Sequence, residues 1–350
     1  VDFTIGDKEV GQGYFPYIAM EVGGTMSGLV SAVRLAHVAA DAGADALKVQ
    51  ILDPDSLVGG NPMVQFTDAT GNKREEPQKD ALNRRFLPKE GWLALGQVCR
   101  ERGIDLIATV DCFESLVVAV EAGAAAVKIC SGDITNLGLI KEVAGHEGRN
   151  GHLPILFDTG HAELGELERA VDTALDVGAR VMVHHVAGGY PATRVNLAQI
   201  PSLIAMFPDV AIGYSSHVDN WHVDAAAVAL GAVMIEKNLT LDRSKAGPEQ
   251  STAVEPAQAR QFVCAMLDVW GSLGKPRKRI SSGERKGRAA ARRCAWTRYD
   301  LAAGLRIKRE DIVYRRPAVE NGFEPQDEAH LVGRRAATRI SGPILKEYLA

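Results

Sequence analysis

The sequence predicts an α/β fold, a TIM (β/α)8 barrel followed by a small, mostly β domain, on three observations. From about residue 17 to 274, short apolar runs alternate with longer segments of helical periodicity, the pattern of parallel strands and crossover helices. Eight such runs, each followed by a helix in about 250 residues, match a closed barrel better than an open doubly wound sheet. A basic stretch then breaks the periodicity, and the chain beyond it carries short strand-like pieces and frequent turn signals.

Taken in order, the strands are YIAMEV (17–22), ALKVQIL (46–52), DLIATV (105–110), AVKICS (126–131), PILFDT (154–159), VMVHHVA (181–187), VAIGYSS (210–216) and VMIEKNL (233–239). GLVSAVRLAHVAADAG, KEGWLALGQVCRERG and ELGELERAVDTALDVG lie between strands, and EPAQARQFVCAMLDVWGSLG follows the eighth. Several of these helices end in Gly just before the next strand, as helix C-terminal caps do. The segment 53–86 is too long for an ordinary connection, and a long loop on the catalytic face of a barrel reads as a substrate lid. The barrel is assigned to 1–274. Residues 275–292 form a linker, because Lys275–Arg293 holds nine basic residues to one acid and has no interleaved aromatics, which favours a solvated spacer over a nucleic-acid patch. Residues 293–350 form the small domain, near the lower size limit for independent stability.

Composition excludes several classes of function. The 350 residues are 46% hydrophobic and 24% charged, and Lys+Arg 40 against Asp+Glu 44 leaves a net charge of −4, so no global field favours nucleic acid. No apolar run reaches the ~20 residues needed to span a bilayer, and VDFTIGDKEVGQG lacks the features of a signal peptide. Five cysteines without a CxxC pair or a framework spacing point to a reducing cytoplasm.

Catalytic groups in such a barrel gather at the C-terminal strand ends. Read there, the chain presents Glu21, Lys48 with Gln50, Thr109, Lys128 with Ser131, Asp158, His185, Ser215 with His217, and Asn238. Two lysines with Thr and Ser hydroxyls around one mouth suit a doubly charged anion such as a phosphate ester, while Glu21 and His217 offer acid–base or metal-ligand chemistry. Chemistry alone therefore predicts an enzyme acting on an anionic, phosphorylated small molecule. His184 is expected to point opposite His185, and His161 to begin the helix after the fifth strand.

The segments EVGGTMSG (21–28), ALKVQ (46–50), KICSGDITNLGLI (128–140), GYP (189–191), IGYSSH (212–217), ALGAVMIEKNLTLD (229–242) and GPE (247–249) resemble the sialic acid synthase family, which includes the pseudaminic and legionaminic acid synthases. The stretch from Arg293, with RRP at 315–317, resembles that family's antifreeze-like SAF domain. The resemblance implies a domain-swapped homodimer and attack of C3 of phosphoenolpyruvate (PEP) on the aldehyde of an N-acetylated amino sugar, with water adding at C2 and phosphate leaving. It implies a divalent metal, manganese or magnesium. By position it makes Glu21, Lys48 and His217 catalytic; Lys48, Thr109, Lys128, Ser131, Asp158 and Ser215 donor contacts; Gln50, Tyr190, Glu249 and Arg316 acceptor contacts; and His217 with Asn238 metal ligands, Asp158 and His185 being the alternates.

The departures from the family pattern cluster in the site. Thr25 and Met26 stand where the family has Asn and His, Gly188 and Ser216 replace polar residues, and Asn238 replaces the second metal-binding His. An amide is a weaker ligand than imidazole for manganese-type metals, so the resemblance implies a weak metal dependence or none. Asp158 stands where the family has a phosphate-binding Ser; it either ligates a metal with His217 and His185 or Asn238, or is neutralised by a neighbouring cation. The leading expectation is a PEP-dependent condensing enzyme with a non-standard acceptor, in a specialised sugar or nucleoside pathway. The alternatives are aldol or retro-aldol chemistry without PEP, and a catalytically silent ligand-binding protein.

Overall fold

The computed structural model of the chain describes residues 2–68, 71–148, 151–186, 194–245, 247 and 249–350. It divides into two compact units, Val1–Gly274 and Lys275–Ala350.

The first unit is a closed barrel of eight parallel strands. In chain order these are β1 (Tyr17–Glu21), β2 (Ala46–Ile51), β3 (Asp105–Val110), β4 (Ala124–Ile129), β5 (Ile155–Asp158), β6 (Val181–Val186), β7 (Ala211–Ser216) and β8 (Met234–Asn238). Each pairs with the next, and β8 closes on β1 with Asn238 opposite Glu21. The helices are α1 (Gly28–Ala42), α2 (Lys89–Arg102), α3 (Phe113–Glu121), α4 (Leu137–Ala144), α5 (Leu164–Leu175), α6 (Gln199–Met206), α7 (His222–Ala229) and α8 (Pro256–Leu273). Gly43 and Gly103 end α1 and α2 in the left-handed conformation, at φ 83° and 69°, where a side chain would be strained. On α5 the residues Leu167, Ala170, Val171 and Ala174 are buried, the i, i+3, i+4, i+7 stripe that packs a helix against a sheet.

Two apolar layers follow from this arrangement. Outward-pointing strand residues such as Leu47, Val49, Val183, Ile212 and Ile235 meet the helices. Inward-pointing Tyr17, Ala19, Ala46, Ile107, Ala126, Leu156, Met182, Ala211 and Met234 fill the lower barrel, joined by Phe3, Ile5 and Val10. Those last three come from an N-terminal hairpin, Asp2–Ile5 paired with Lys8–Gly11, that the strand-and-helix alternation does not reveal. The segment after β2 contains a short helix Pro54–Leu57, a hairpin of Met63–Thr67 with Lys73–Pro77, and a helix Gln78–Asn83.

The second unit begins with a helix, Ser282–Ala291, in which Ser281 and Glu284 form a capping box. Beyond it Cys294–Thr297 pairs antiparallel with Ile312–Arg315 over a small core of Ala295, Leu301, Ile307, Ile312, Phe323, Leu331, Ala336, Ile340 and Ile344. Among the described residues, no helix in either unit is long and apolar enough to cross a membrane.

Candidate active site

Strand alternation builds the site. Side chains two residues apart share a face, so the inward position above each apolar floor residue also points inward. Ala19 is followed by Glu21, Ala46 by Lys48 and Gln50, Ile107 by Thr109, Ala126 by Lys128, Leu156 by Asp158, and Met182 by His184; Ala211 leads through Gly213 to Ser215, and Met234 is followed by Glu236 and Asn238. The apolar layer below and a pocket of about 340 Å³ above bound this polar layer; Glu21, Lys48, Thr109, Lys128, Asp158 and Glu236 all line the pocket.

A buried ion network occupies the floor. Lys128 Nζ lies 2.7 Å from both Asp158 Oδ2 and Glu236 Oε1. Lys48 is ion-paired with Glu21 and lies 3.8 Å from Glu236 Oε1. Ser215 Oγ donates to the same Glu236 oxygen at 3.1 Å. Burial opposes ionisation of Glu236, but Lys128 and Lys48 overcome it and hold the carboxyl well below its usual range. Burial likewise opposes ionisation of Asp158, and Lys128 keeps it ionised. Lys128 is held firmly protonated, because burial, which favours the neutral amine, is outweighed by its two carboxylates. It is therefore a charge and a donor, not an amine nucleophile.

Glu21 behaves differently. Burial first, and then Glu249 and Glu236, push its carboxyl up to about 7, against the opposing pull of Lys48. A carboxyl poised there exchanges a proton at neutral pH. Gln50 Nε2 and the Gly24 N–H both donate to Glu21 Oε1, at 3.3 and 3.2 Å, and fix its orientation. Glycine at position 24 leaves room for the Glu249 carboxylate, since a Cβ there would stand 1.6 Å from Glu249 Oε2 and displace that side chain. Ser131, at the start of a 3-10 turn, and His217 also line the pocket, as does Leu57 of the long insertion. The Thr109 hydroxyl is buried and has no partner among the described residues, so it is available to a ligand. Cys130 reaches the pocket too, but burial and Asp133 push its thiol up to about 11, which removes it as a nucleophile.

The structure therefore brings together Glu21, Lys48, Gln50, Thr109, Lys128, Ser131, Asp158, Ser215, His217 and Glu249. It reverses the two histidines of β6. His185, read from the sequence as a pocket residue and alternate metal ligand, points out of the barrel, where its Nε2 bonds the Val195 carbonyl at 2.7 Å and its ring stacks on Tyr214. His184 points inward instead, with Nδ1 3.4 Å from Asp158 Oδ1. Sequence reasoning also missed Glu236, the centre of the network; the alternation Met234, Glu236, Asn238 was the available signal. His161 sits at φ 59° in the turn before α5 and lines the pocket, rather than beginning the helix. Thr25 and Met26 serve packing: the Thr25 hydroxyl donates to the Val22 and Leu239 carbonyls, and Met26 is in the core. Arg316 is an exposed residue of the second unit, directly after its strand Ile312–Arg315. Tyr190 and Gly188 lie outside the described residues.

The residues present do not compose a metal centre of the ordinary kind. Among the described residues no three His, Cys, Asp or Glu side chains are arranged to hold an ion. Asn238 donates through Nδ2 to Thr252 Oγ1 at 3.4 Å, and the carboxylates of Glu21, Asp158 and Glu236 already face ammonium groups. Lys128, 2.7 Å from Asp158 Oδ2, is the neighbouring cation that the second expectation for Asp158 calls for.

Comparison with known proteins places this geometry in context. The NeuB family model matches residues 35–278. The chain is 30% identical over 346 residues to the N,N'-diacetyllegionaminic acid synthase of Legionella pneumophila, covering 96% of this chain and 94% of that protein. Among solved structures, the N-acetylneuraminic acid (sialic acid) synthetase of Leptospira borgpetersenii, in complex with citrate, superposes with a TM-score of 0.71 at 26% identity, covering 82% of this chain and 94% of the other. The spore coat polysaccharide biosynthesis protein SpsE of Bacillus subtilis superposes with a TM-score of 0.66 at 27% identity, over 97% and 96% of the two chains. The match to the family, carried over nearly the whole chain by the legionaminic acid synthase, shows that this protein belongs to the NeuB family.

Proposed function

We propose that the protein is a PEP-dependent condensing enzyme that joins the enolpyruvyl unit to the aldehyde of a sugar or sugar-like acceptor, giving a 2-keto-3-deoxy acid. The observation that carries this reading is the pocket floor itself: two buried lysines and a carboxyl poised near neutrality face one pocket, in a chain of the NeuB family. In the reaction, C3 of the donor forms a bond to the aldehyde carbon, whose oxygen gains a proton. The oxygen of one water adds at C2, and the C2–O bond to phosphate breaks, so PEP, aldehyde and water give the keto acid and inorganic phosphate. Lys128 and Lys48 supply positive charge to the donor, and the Thr109, Ser131 and Ser215 hydroxyls supply further hydrogen bonds. Glu21 takes and returns the proton, oriented by Gln50 and the Gly24 N–H. By resemblance, Gln50, Glu249, Tyr190 and Arg316 address the acceptor. A divalent metal belongs to the family resemblance, but no step above depends on one. A homodimer in a reducing cytoplasm completes the reading; five unpaired cysteines support the compartment.

A second reading, aldol or retro-aldol chemistry without a phosphate, is favoured by one observation: Lys128 is already satisfied by Asp158 and Glu236. Donor binding separates the two. Calorimetric titration with PEP should give a saturable heat, and the ligand should raise the melting temperature by an amount that Lys128→Ala abolishes. No heat and no shift at millimolar PEP would remove PEP from the account.

A further inference from the structure

The floor network holds three carboxylates, Glu21, Asp158 and Glu236, against two lysines, all of them buried. A donor phosphate brought to Lys128 therefore meets an ammonium whose Asp158 partner stands 2.7 Å away, and the two anions compete for it. Asp158 has a second place to go. Among the described residues its Oδ1 is buried without a well-formed hydrogen bond, and His184 Nδ1, likewise buried without one, lies 3.4 Å from it. The imidazole is held there by packing. It lies over Gly213, its cross-strand neighbour, where any Cβ would come within 2.4 Å of His184 Cδ2. The ring is thus fixed, completely buried, and turned toward Asp158 without an aligned bond to it.

Resting on the function proposed above, we propose that Asp158 is a built-in occupant of the donor-anion position on Lys128, and that His184 is the positioning residue that receives its carboxylate when the donor anion enters. Binding then exchanges one ion pair for another: the Asp158–Lys128 contact is replaced by an anion–Lys128 contact, and Asp158 closes onto His184 Nδ1 as a hydrogen-bond acceptor. The arrangement makes the site selective for anions strong enough to displace a carboxylate.

The test is a double-mutant cycle read by calorimetry on the full chain, with PEP and, separately, inorganic phosphate as probes. Asp158→Ser should tighten both anions, by about tenfold. His184→Leu should weaken both by a comparable factor in the natural background and by less than twofold in the Asp158→Ser background, because there is no carboxylate left to receive. His184→Asn, whose amide can donate from nearly the Nδ1 position, should restore most of the affinity and guards against a folding defect in the leucine variant. The inference is overturned if Asp158→Ser tightens neither anion, if His184→Leu weakens binding equally in both backgrounds, or if no variant binds either anion. Condensation of PEP with an acceptor while anion affinity ignores Asp158 would leave the function standing and sink this inference. The reverse pattern, with the cycle obeyed by phosphate but no turnover of PEP, would retain the inference and sink the function.

Discussion

Removing the Lys128 ammonium gives the most informative perturbation of the network. Lys128→Met keeps the length and apolar stem but leaves Asp158 and Glu236 facing one another across the vacated position, each having lost a contact of 2.7 Å. Each contact corresponds to about 6 kcal/mol of Coulomb attraction at an effective dielectric near 20. Most of that is recovered when a carboxyl takes up a proton, and the loss measured on breaking a buried pair is ~3–5 kcal/mol. For a unit of this size each kcal/mol moves the midpoint by ~2–4 °C, so a fall of about 10 °C is expected at pH 7.5. The sign of the pH dependence follows from the direction in which Lys128 moves its partners. It holds Asp158 and Glu236 below their ordinary range, which contributes stability above that range that is lost as pH falls through the depressed values. The gap between variant and natural protein should accordingly narrow only as the pH is taken below about 4, toward those depressed values. Scanning calorimetry of both proteins across pH reads this directly. Lys237→Met serves as the control: Lys237 is equally buried, and bonds the Val218 carbonyl, Ser216 and Asp224 outside the pocket, so it should destabilise without affecting PEP binding. A Lys128→Met protein with an unchanged midpoint, or with a deficit that does not narrow in acid, would refute the reasoning.

The remaining expectations concern Glu21 and its neighbours. Because the native state keeps the Glu21 proton up to about 7 while the unfolded chain releases it near 4.5, this residue makes stability fall as pH rises between those values. Glu21→Gln should flatten that slope in pH-dependent melts and remove the limb near pH 7 from the kcat profile, with at least a hundredfold loss of kcat. A variant that keeps the limb would assign it to another group. Gly24→Ala places a methyl where Glu249 Oε2 now stands, and should raise the KM for the acceptor severalfold with PEP affinity nearly unchanged. An equal effect on both substrates would mean that the loop, not Glu249, had moved.

The barrel was legible because its two periodicities are strong: all eight apolar runs became strands, and their pairing follows chain order. Most of the floor was legible for the same reason, since a charged residue at the end of an apolar strand has few places to point. What escaped depended on parity. In VMVHHV either histidine could face inward, and a one-residue change of register exchanges the faces; only the placement of Met182 in the inner layer settles it for His184. In MIEKN the resemblance drew the reading to Asn238, while Glu236, two residues earlier on the same face, makes the ion pairs. The N-terminal hairpin was hidden because its strands are four residues each and half polar, yet Phe3, Ile5 and Val10 close the bottom of the barrel.

The central claim is tested most directly by incubating the protein with PEP and a panel of N-acetylated amino sugars, following inorganic phosphate and the mass of new keto acids together. The account predicts phosphate released only when an acceptor is present, one per 2-keto-3-deoxy acid formed, and neither product with Lys128→Met. Formation of a carbon–carbon bond without phosphate, or phosphate release indifferent to every acceptor, would contradict it.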